Sequence, residues 1–129
     1  MKVFKFGGAS VKNADAVKNL GKILNGYNDN LVVVISAMGK TTDLLETLAK
    51  AYFEKNNSKW EIFGQFKKYH VDICGQLFEG GKTPDFVMAQ INELEEKLKK
   101  KPSLDYNFEY DQVICFGELV STCIVSEFL

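Results

Sequence analysis

The sequence predicts an α/β domain built on a mostly parallel sheet with a helical insert. A continuous β-branched run at Leu31–Ile35 is typical of a strand buried on both faces of a parallel sheet. A shorter apolar strand is expected at residues 3–6, and a segment with helical spacing separates the two. Strand, helix and strand form a βαβ unit, for which a right-handed crossover is expected.

The segment after the first strand carries the signals of a helix start and stop. Asn13 can cap the helix, and apolar residues follow at helical spacing. Gly26 and the turn residues 28–30 end it before the second strand. Residues 1–45 are therefore predicted to form the βαβ core.

Residues 46–108 are predicted to form a helical region. Asp43 and Glu46 stand in a capping-box relation near the start of a second helix. A third helix is expected over about residues 60–78, where the glycine pair at 80–81 follows. Pro84 suits the first position of a fourth helix.

The last segment, residues 109–129, is apolar on nearly every side, which predicts a buried helix. It ends at Leu129 without glycine, proline or a basic last turn, and two strands do not make an independent α/β domain. The chain is therefore expected to be a truncated piece of a longer domain.

Glu118 is isolated on this helix, and an unpaired buried carboxylate is costly. It is expected either to form a structural ion pair with a lysine or to bind a ligand.

Composition excludes several classes of function. A net charge of −1 over 129 residues gives no general electrostatic reason to expect nucleic acid or an anionic membrane as a partner. No apolar run approaches the roughly 20 residues of a membrane span. Three cysteines without a CxxC pair indicate reduced thiols in a cytoplasmic protein. His70 is the only histidine and is interpreted as a core residue. No histidine is therefore available for a His-Cys zinc site or a Ser-His-Asp triad.

The first strand leads into a candidate phosphate site. Gly7 and Gly8 let the backbone bend and approach a ligand, and the N–H groups of such a turn attract anions. Lys5 adds a positive charge at the end of the strand. Ser36 stands at the equivalent end of the second strand, so the two loops are expected to open on one crevice.

Two near-matches to the Walker A motif GxxxxGK[ST] do not predict a P-loop NTPase. Gly39-Lys40-Thr41 has Val34 at the position of the first glycine. The segment at 81–83 has Gln76 there and follows a helix instead of a strand. Without the first glycine the loop cannot wrap the phosphates.

Three segments together resemble the N-terminal part of the catalytic domain of an aspartate kinase, in the amino-acid kinase superfamily. They are Lys-Phe-Gly-Gly-Ala-Ser-Val at 5–11, Val-Ile-Ser-Ala-Met-Gly-Lys-Thr-Thr-Asp-Leu-Leu at 34–45, and Phe-Gly-Glu-Leu-Val-Ser-Thr at 116–122. The first is shared by relatives that act on glutamate, acetylglutamate, carbamate or UMP, whereas the other two single out aspartate kinase. The resemblance spans the chain and implies the N-terminal part of a three-layer α/β/α sandwich.

The resemblance also implies roles for residues of the opening loop. Lys5 would be catalytic, contacting the ATP phosphates and stabilising the transferring phosphoryl group. Gly7, Gly8 and Ser10 would shape the phosphate loop. The family usually has threonine where this chain has Ala9, so one hydroxyl is missing.

The remaining implied site residues would bind the acceptor. Ser36, Thr42 and Glu118 would hold L-aspartate, with Glu118 next to its ammonium group. The cofactors would be ATP and Mg²⁺, and no metal ligand is assigned within this chain. The product would be 4-phospho-L-aspartate, which is formed in the first step of the aspartate-family amino-acid pathway.

The resemblance further implies a cytoplasmic enzyme that is a homo-oligomer in its full-length form. The family's adenosine pocket lies in the second half of its catalytic domain, so these 129 residues alone are expected to be inactive. Two alternatives remain. One is a superfamily member with a different acceptor, and the other is a non-catalytic binding or assembly module.

Overall fold

The computed structural model describes residues 1–129 and contains two strands, five α-helices and two short 3-10 turns. The predicted α/β class with a helical insert is confirmed. In chain order the elements are β1 Lys2–Phe6, the 3-10 turn Gly8–Val11, α1 Ala14–Asn25, β2 Leu31–Ile35, α2 Thr41–Phe53, α3 Lys59–Leu77, the 3-10 turn Glu79–Gly81, α4 Asp85–Lys99 and α5 Tyr106–Phe128.

The predicted βαβ unit is present at the start of the chain. Strands β1 and β2 pair in parallel, with Lys5 opposite Val34 and Phe6 opposite Ile35. Helix α1 connects them, and the Asn13 side chain accepts a hydrogen bond from the Ala16 N–H at 2.8 Å, so the predicted N-cap is confirmed.

The two faces of the sheet differ in exposure. Phe4, Phe6 and Val33 pack against the hydrophobic core together with the buried Ile35. Their neighbours along the strands point the other way, and Val34 remains 45% exposed. The prediction that β2 is buried on both faces is wrong for this chain, because its helices cover only one face of the sheet.

Helix α5 holds the helical region to the sheet. It packs against α2, α4 and β2, and it contributes six of the residues in the main hydrophobic cluster. The helix begins at Tyr106, slightly ahead of the predicted start, because the Asp105 side chain accepts a hydrogen bond from the Phe108 N–H at 3.1 Å. None of the five helices has the length and apolar character required to cross a membrane.

Two predicted helix starts need correction. Helix α2 begins at Thr41 with Lys40 at the N-cap and has no side-chain cap, so the capping box of Asp43 and Glu46 does not form. Glu46 instead accepts a hydrogen bond from the Tyr110 hydroxyl at 3.0 Å, because the packing of α5 on α2 brings that hydroxyl within reach. In α4, Pro84 occupies the N-cap and not the first helical position.

The buried carboxylate of α5 is Glu109, which is only 2% exposed. Lys97 donates to it at 3.0 Å and the Ser103 N–H donates at 3.3 Å, so its charge is compensated. Desolvation of the phenol and, to a smaller extent, the nearby Glu109 carboxylate raise the pKa of Tyr52 to about 12. Of the two alternatives in the sequence analysis, the ion pair of a buried glutamate with a lysine does occur on this helix, but it is formed by Glu109 and not by Glu118.

His70 lies inside the protein, as predicted from its apolar neighbours. Its side chain is fully buried, its Nδ1 donates to the Phe66 carbonyl at 2.8 Å, and its ring centroid lies 4.4 Å from that of Phe66. The Nε2 atom has no partner. Desolvation lowers the pKa of His70 to about 4, with a smaller opposing effect from the backbone hydrogen bond. His70 is therefore neutral at physiological pH.

We expect His70 to make the fold sensitive to mild acid. The unfolded chain takes up a proton near the ordinary histidine pKa of about 6.5, whereas the folded chain resists until about pH 4. Stability is therefore fully present above about pH 6.5 and is lost as the pH falls toward 4. Between about pH 7.5 and pH 5 the loss attributable to this group is about 2 kcal/mol. Urea unfolding of wild type and His70→Met at both pH values measures it, and an identical pH dependence in the two proteins would contradict the assignment.

Candidate functional site

The glycine turn after β1 is shaped by a close approach to a second loop. Gly7 is extended and open, and a Cβ added there would have no neighbouring atom within 4 Å. A Cβ on Gly8 would lie 2.8 Å from the Gly39 carbonyl oxygen and 3.1 Å from that of Ala37. The Ser10 N–H donates to the Gly7 carbonyl at 3.0 Å and closes the turn. Gly8 is therefore required for steric reasons.

The second loop, residues 36–40, is hydrogen-bonded directly to this turn. The Ser36 N–H donates to the Phe6 carbonyl at 3.1 Å, and the Gly39 N–H donates to the Gly8 carbonyl at 3.0 Å. Gly39 has a φ of +54°, in the left-handed region that favours glycine. The predicted convergence of the two loops at one end of the sheet is confirmed.

Lys5 occupies the open face of the sheet close to this junction. It is exposed, it takes part in no ion pair, and it lies beside Val34 in the parallel register. Paired residues of parallel strands project to the same face, so the Lys5 side chain leaves the sheet on the same side as that of Val34. The charge is free to interact with an anion.

An open cleft of about 590 Å³ lies between β2 and α5, and Glu118 lines it together with Val34, Thr122 and Gln90. Glu118 is exposed and takes part in no ion pair, so the expected ion pair with a lysine is absent. The expectation of a helix buried on every side is also wrong here, because this face of α5 borders the cleft. Glu118 presents an unpaired carboxylate to a largely apolar cleft.

Helix α5 contacts the second loop through one turn of small residues. The Ser121 hydroxyl donates to the Ser36 carbonyl at 2.7 Å. A Cβ on Gly117 would lie 3.0 Å from both the Ala37 Cβ and a Leu45 methyl group. Glu118 lies on the same turn, so these contacts fix its position relative to Ser36. Ser121 lies within the third of the segments that carry the resemblance, but the sequence analysis assigned it no role.

The other two predicted hydroxyl residues lie apart from the Glu118 cleft. Thr42 is exposed in the first turn of α2, and its neighbour Thr41 is buried with an unpartnered hydroxyl. Ser10 is exposed and lines a smaller cleft of about 160 Å³ beside α1, together with Ala9. The predicted site residues therefore surround the end of the sheet without lining a single cavity.

Tyr69 of α3 is a contributor that sequence reasoning missed. Its hydroxyl donates to the carbonyl of Lys12 and lies against Gly39. Burial raises the pKa of Tyr69. No periodicity or motif indicates this contact, since it joins residues that are far apart in the sequence.

No group of three or more histidine, cysteine, aspartate or glutamate side chains is arranged to hold a metal ion. The site instead combines the unpaired ammonium group of Lys5 with the unpaired carboxylate of Glu118, and the exposed Lys12 and Lys40 of the two loops also take part in no ion pair. Such a set is suited to a ligand with both anionic and cationic groups.

Comparison with known proteins identifies one family, whose model matches the whole chain. Residues 1–129 match the model of the amino acid kinase family. Aspartokinase 1 of Arabidopsis thaliana, a chloroplastic protein, is 31% identical over 136 residues, covering 98% of this chain and 23% of its own length. The aspartokinase of Rickettsia felis is 37% identical over 72 residues, covering 54% of this chain and 17% of its own length.

Solved structures show the same fold at lower identity. E. coli aspartokinase III in complex with lysine and aspartate superimposes with a TM-score of 0.84 at 23% identity, over 100% of this chain and 28% of that one. Its complex with aspartate and ADP gives a TM-score of 0.83 at 22% identity, over 99% of this chain and 28% of that one. The chain thus spans about a quarter of the length of these relatives. With a family model matched from end to end, the chain belongs to the amino acid kinase family.

Proposed function

We propose that this chain forms part of the catalytic domain of an ATP-dependent aspartate kinase, which transfers a phosphoryl group to the β-carboxylate of L-aspartate. The observation that carries the proposal is the hydrogen bond between the Gly39 N–H and the Gly8 carbonyl. It joins a glycine turn beside a free lysine to the loop that α5 supports next to Glu118. The relatives named aspartokinase support the choice of acceptor.

The free charges suit the two substrates. Lys5 has no protein partner, so its ammonium group is available to the phosphoryl oxygens of ATP. Glu118 has no protein partner either, and its carboxylate is available to the ammonium group of an amino acid. Gly7 has open space around it, so the turn leaves room for phosphate oxygens close to the backbone.

The proposed reaction requires little acid–base catalysis by the protein. The side-chain carboxyl of aspartate, with a pKa of about 3.9, is already ionised at neutral pH and is a ready nucleophile. Phosphoryl transfer then depends on holding donor and acceptor in line and on neutralising negative charge. Lys5 and the turn backbone serve the donor side. Ser36, Thr42 and Glu118 serve the acceptor side.

Magnesium would be held mainly by the ATP phosphates, where it would neutralise negative charge. That fits a chain without a cluster of metal-binding side chains, since Mg²⁺ is commonly bound by one or two carboxylates together with substrate phosphates. A reducing compartment such as the cytoplasm suits the three free cysteines.

Replacing Lys5 tests the donor side. In the complete protein in which this chain occurs, we expect Lys5→Met to lower kcat by about 100-fold, because its charge stabilises the transition state more than bound ATP. The melting temperature should be unchanged, since Lys5 is exposed and unpaired. The matched control is Lys2→Met on the same strand, which loses an exposed ion pair with Asp29 at 3.5 Å and a cation–π contact with the Tyr27 ring at 5.0 Å. Equal rates for the two variants would remove Lys5 from the mechanism.

Replacing Glu118 tests the acceptor side. We expect Glu118→Gln to raise KM for aspartate by about tenfold or more, because a charge-assisted hydrogen bond to the substrate ammonium is lost. KM for ATP should stay within about twofold of wild type. Glu127→Gln, on the same helix and also exposed, is the control. The same KM for aspartate in all three proteins would refute the role.

The acceptor itself is tested by competition in the complete protein. Aspartate should yield an acyl phosphate, detected as the hydroxamate, in preference to glutamate, acetylglutamate, carbamate and UMP. Residues 1–129 alone should form none, because the sheet face beside Lys5 is open to water, which weakens every charge interaction there. A preference for another acceptor would assign the chain to a different branch of the family. Absence of any phosphoryl transfer by the complete protein would favour a binding or assembly module.

A further inference from the structure

We propose that Tyr69 is a positioning residue which sets the glycine turn against residues 36–40. It lies on α3, in a part of the chain for which no site residue is otherwise assigned. Its hydroxyl donates to the Lys12 carbonyl and contacts Gly39, so it touches both loops of the candidate site. The catalytic consequence rests on the proposed function, whereas the positioning of the loops does not.

The 3-10 turn Gly8–Val11 is held by a hydrogen bond at each of its two ends. Lys12 is the C-cap of this turn, and its carbonyl is bound by Tyr69. At the other end the Gly8 carbonyl is bound by the Gly39 N–H at 3.0 Å. The bond at the Lys12 end therefore comes from α3.

The Tyr69 hydroxyl also fills the space beside Gly39. A Cβ on this glycine would stand 2.7 Å from the Tyr69 hydroxyl oxygen and 3.7 Å from the Lys12 Cβ. The hydroxyl therefore occupies the space that the missing side chain leaves. Gly39 is needed for its left-handed backbone and also for this contact.

The tyrosine is itself held firmly by α3. The Tyr69 ring packs edge-on against the buried ring of His70 at 5.2 Å between centroids, which limits its movement. The phenol is a donor at neutral pH, as an ordinary tyrosine is, and burial raises the pKa of Tyr69 further. Tyr69 is placed to act on the phosphate turn through Lys12 and Gly39.

On the acceptor side of the site, Ser36 and Ala37 are held in place by α5 and not by α3. Ser36 is held by Ser121 of α5, and Gly117 packs on Ala37. These contacts do not pass through Tyr69. Loss of the Tyr69 hydroxyl should therefore disturb the ATP side of the site more than the aspartate side.

The test compares Tyr69→Phe with Tyr110→Phe in the complete protein. Both changes remove one tyrosine hydroxyl that links two segments, since Tyr110 donates to Glu46 of α2 at 3.0 Å. We expect Tyr69→Phe to reduce kcat/KM for ATP by about tenfold or more, with KM for aspartate within about twofold of wild type. Tyr110→Phe should leave both unchanged. Unaltered ATP kinetics in Tyr69→Phe, or equal losses for both substrates, would overturn the catalytic consequence.

Hydrogen exchange distinguishes failure of this inference from failure of the proposed function. In the complete protein, peptides covering residues 8–12 and 36–40 should exchange about tenfold faster in Tyr69→Phe, because the turn and the Gly39 amide open more often. Tyr110→Phe should match wild type in these peptides. If the wild-type protein phosphorylates no aspartate but this difference is found, the positioning role stands without the proposed reaction. Identical exchange in all three proteins would refute the positioning role.

Discussion

The candidate site depends on one close contact between two backbone segments. The Gly39 N–H donates to the Gly8 carbonyl at 3.0 Å, and this approach requires that Gly8 carries no side chain. A methyl group on Gly8 would lie 2.8 Å from the Gly39 carbonyl oxygen, a backbone atom that could give way only if the loop shifted. The third glycine, Gly117, allows α5 the same kind of approach from the other side. Backbone hydrogen bonds and missing Cβ atoms thus determine where the charged side chains stand.

Two glutamates of α5 show how the environment separates structural from functional charges. Glu109 is buried and is neutralised by Lys97 and the Ser103 N–H, as a desolvated carboxylate requires. Glu118 borders an open cleft and has no partner. An exposed carboxylate needs no compensating partner within the protein, so the Glu118 side chain is left for a ligand. Exposure at the edge of a cleft, and not burial, makes Glu118 the better candidate for binding.

Local signals in the sequence were enough for the strands, the Asn13 cap and the convergence of two loops at one sheet edge. What escaped prediction depends on contacts between distant residues. The bond from Tyr69 to Lys12 spans 57 positions and that from Ser121 to Ser36 spans 85, so no periodicity within a segment reports them. The exposure of Val34 and Glu118 also escaped, because hydrophobic pattern does not tell which faces this chain's own helices cover. The places of Lys5 and Glu118 follow from register and helix packing, which only the structure supplies.

Helices α3 and α5 each support a segment of the candidate site. Helix α3 holds the glycine turn through Tyr69, whereas α5 holds Ser36 through Ser121. Tyr69 hydrogen-bonds only the first segment, although it also lies against Gly39 of the second, and the bond from Gly39 to Gly8 links the two segments directly. In the proposed reaction, a shift of α3 relative to α5 would therefore change the alignment of the phosphoryl donor and its acceptor without changing either set of binding residues. Because phosphoryl transfer requires in-line alignment, the proposed function implies that helix packing at a distance from Lys5 would affect the rate through this single junction.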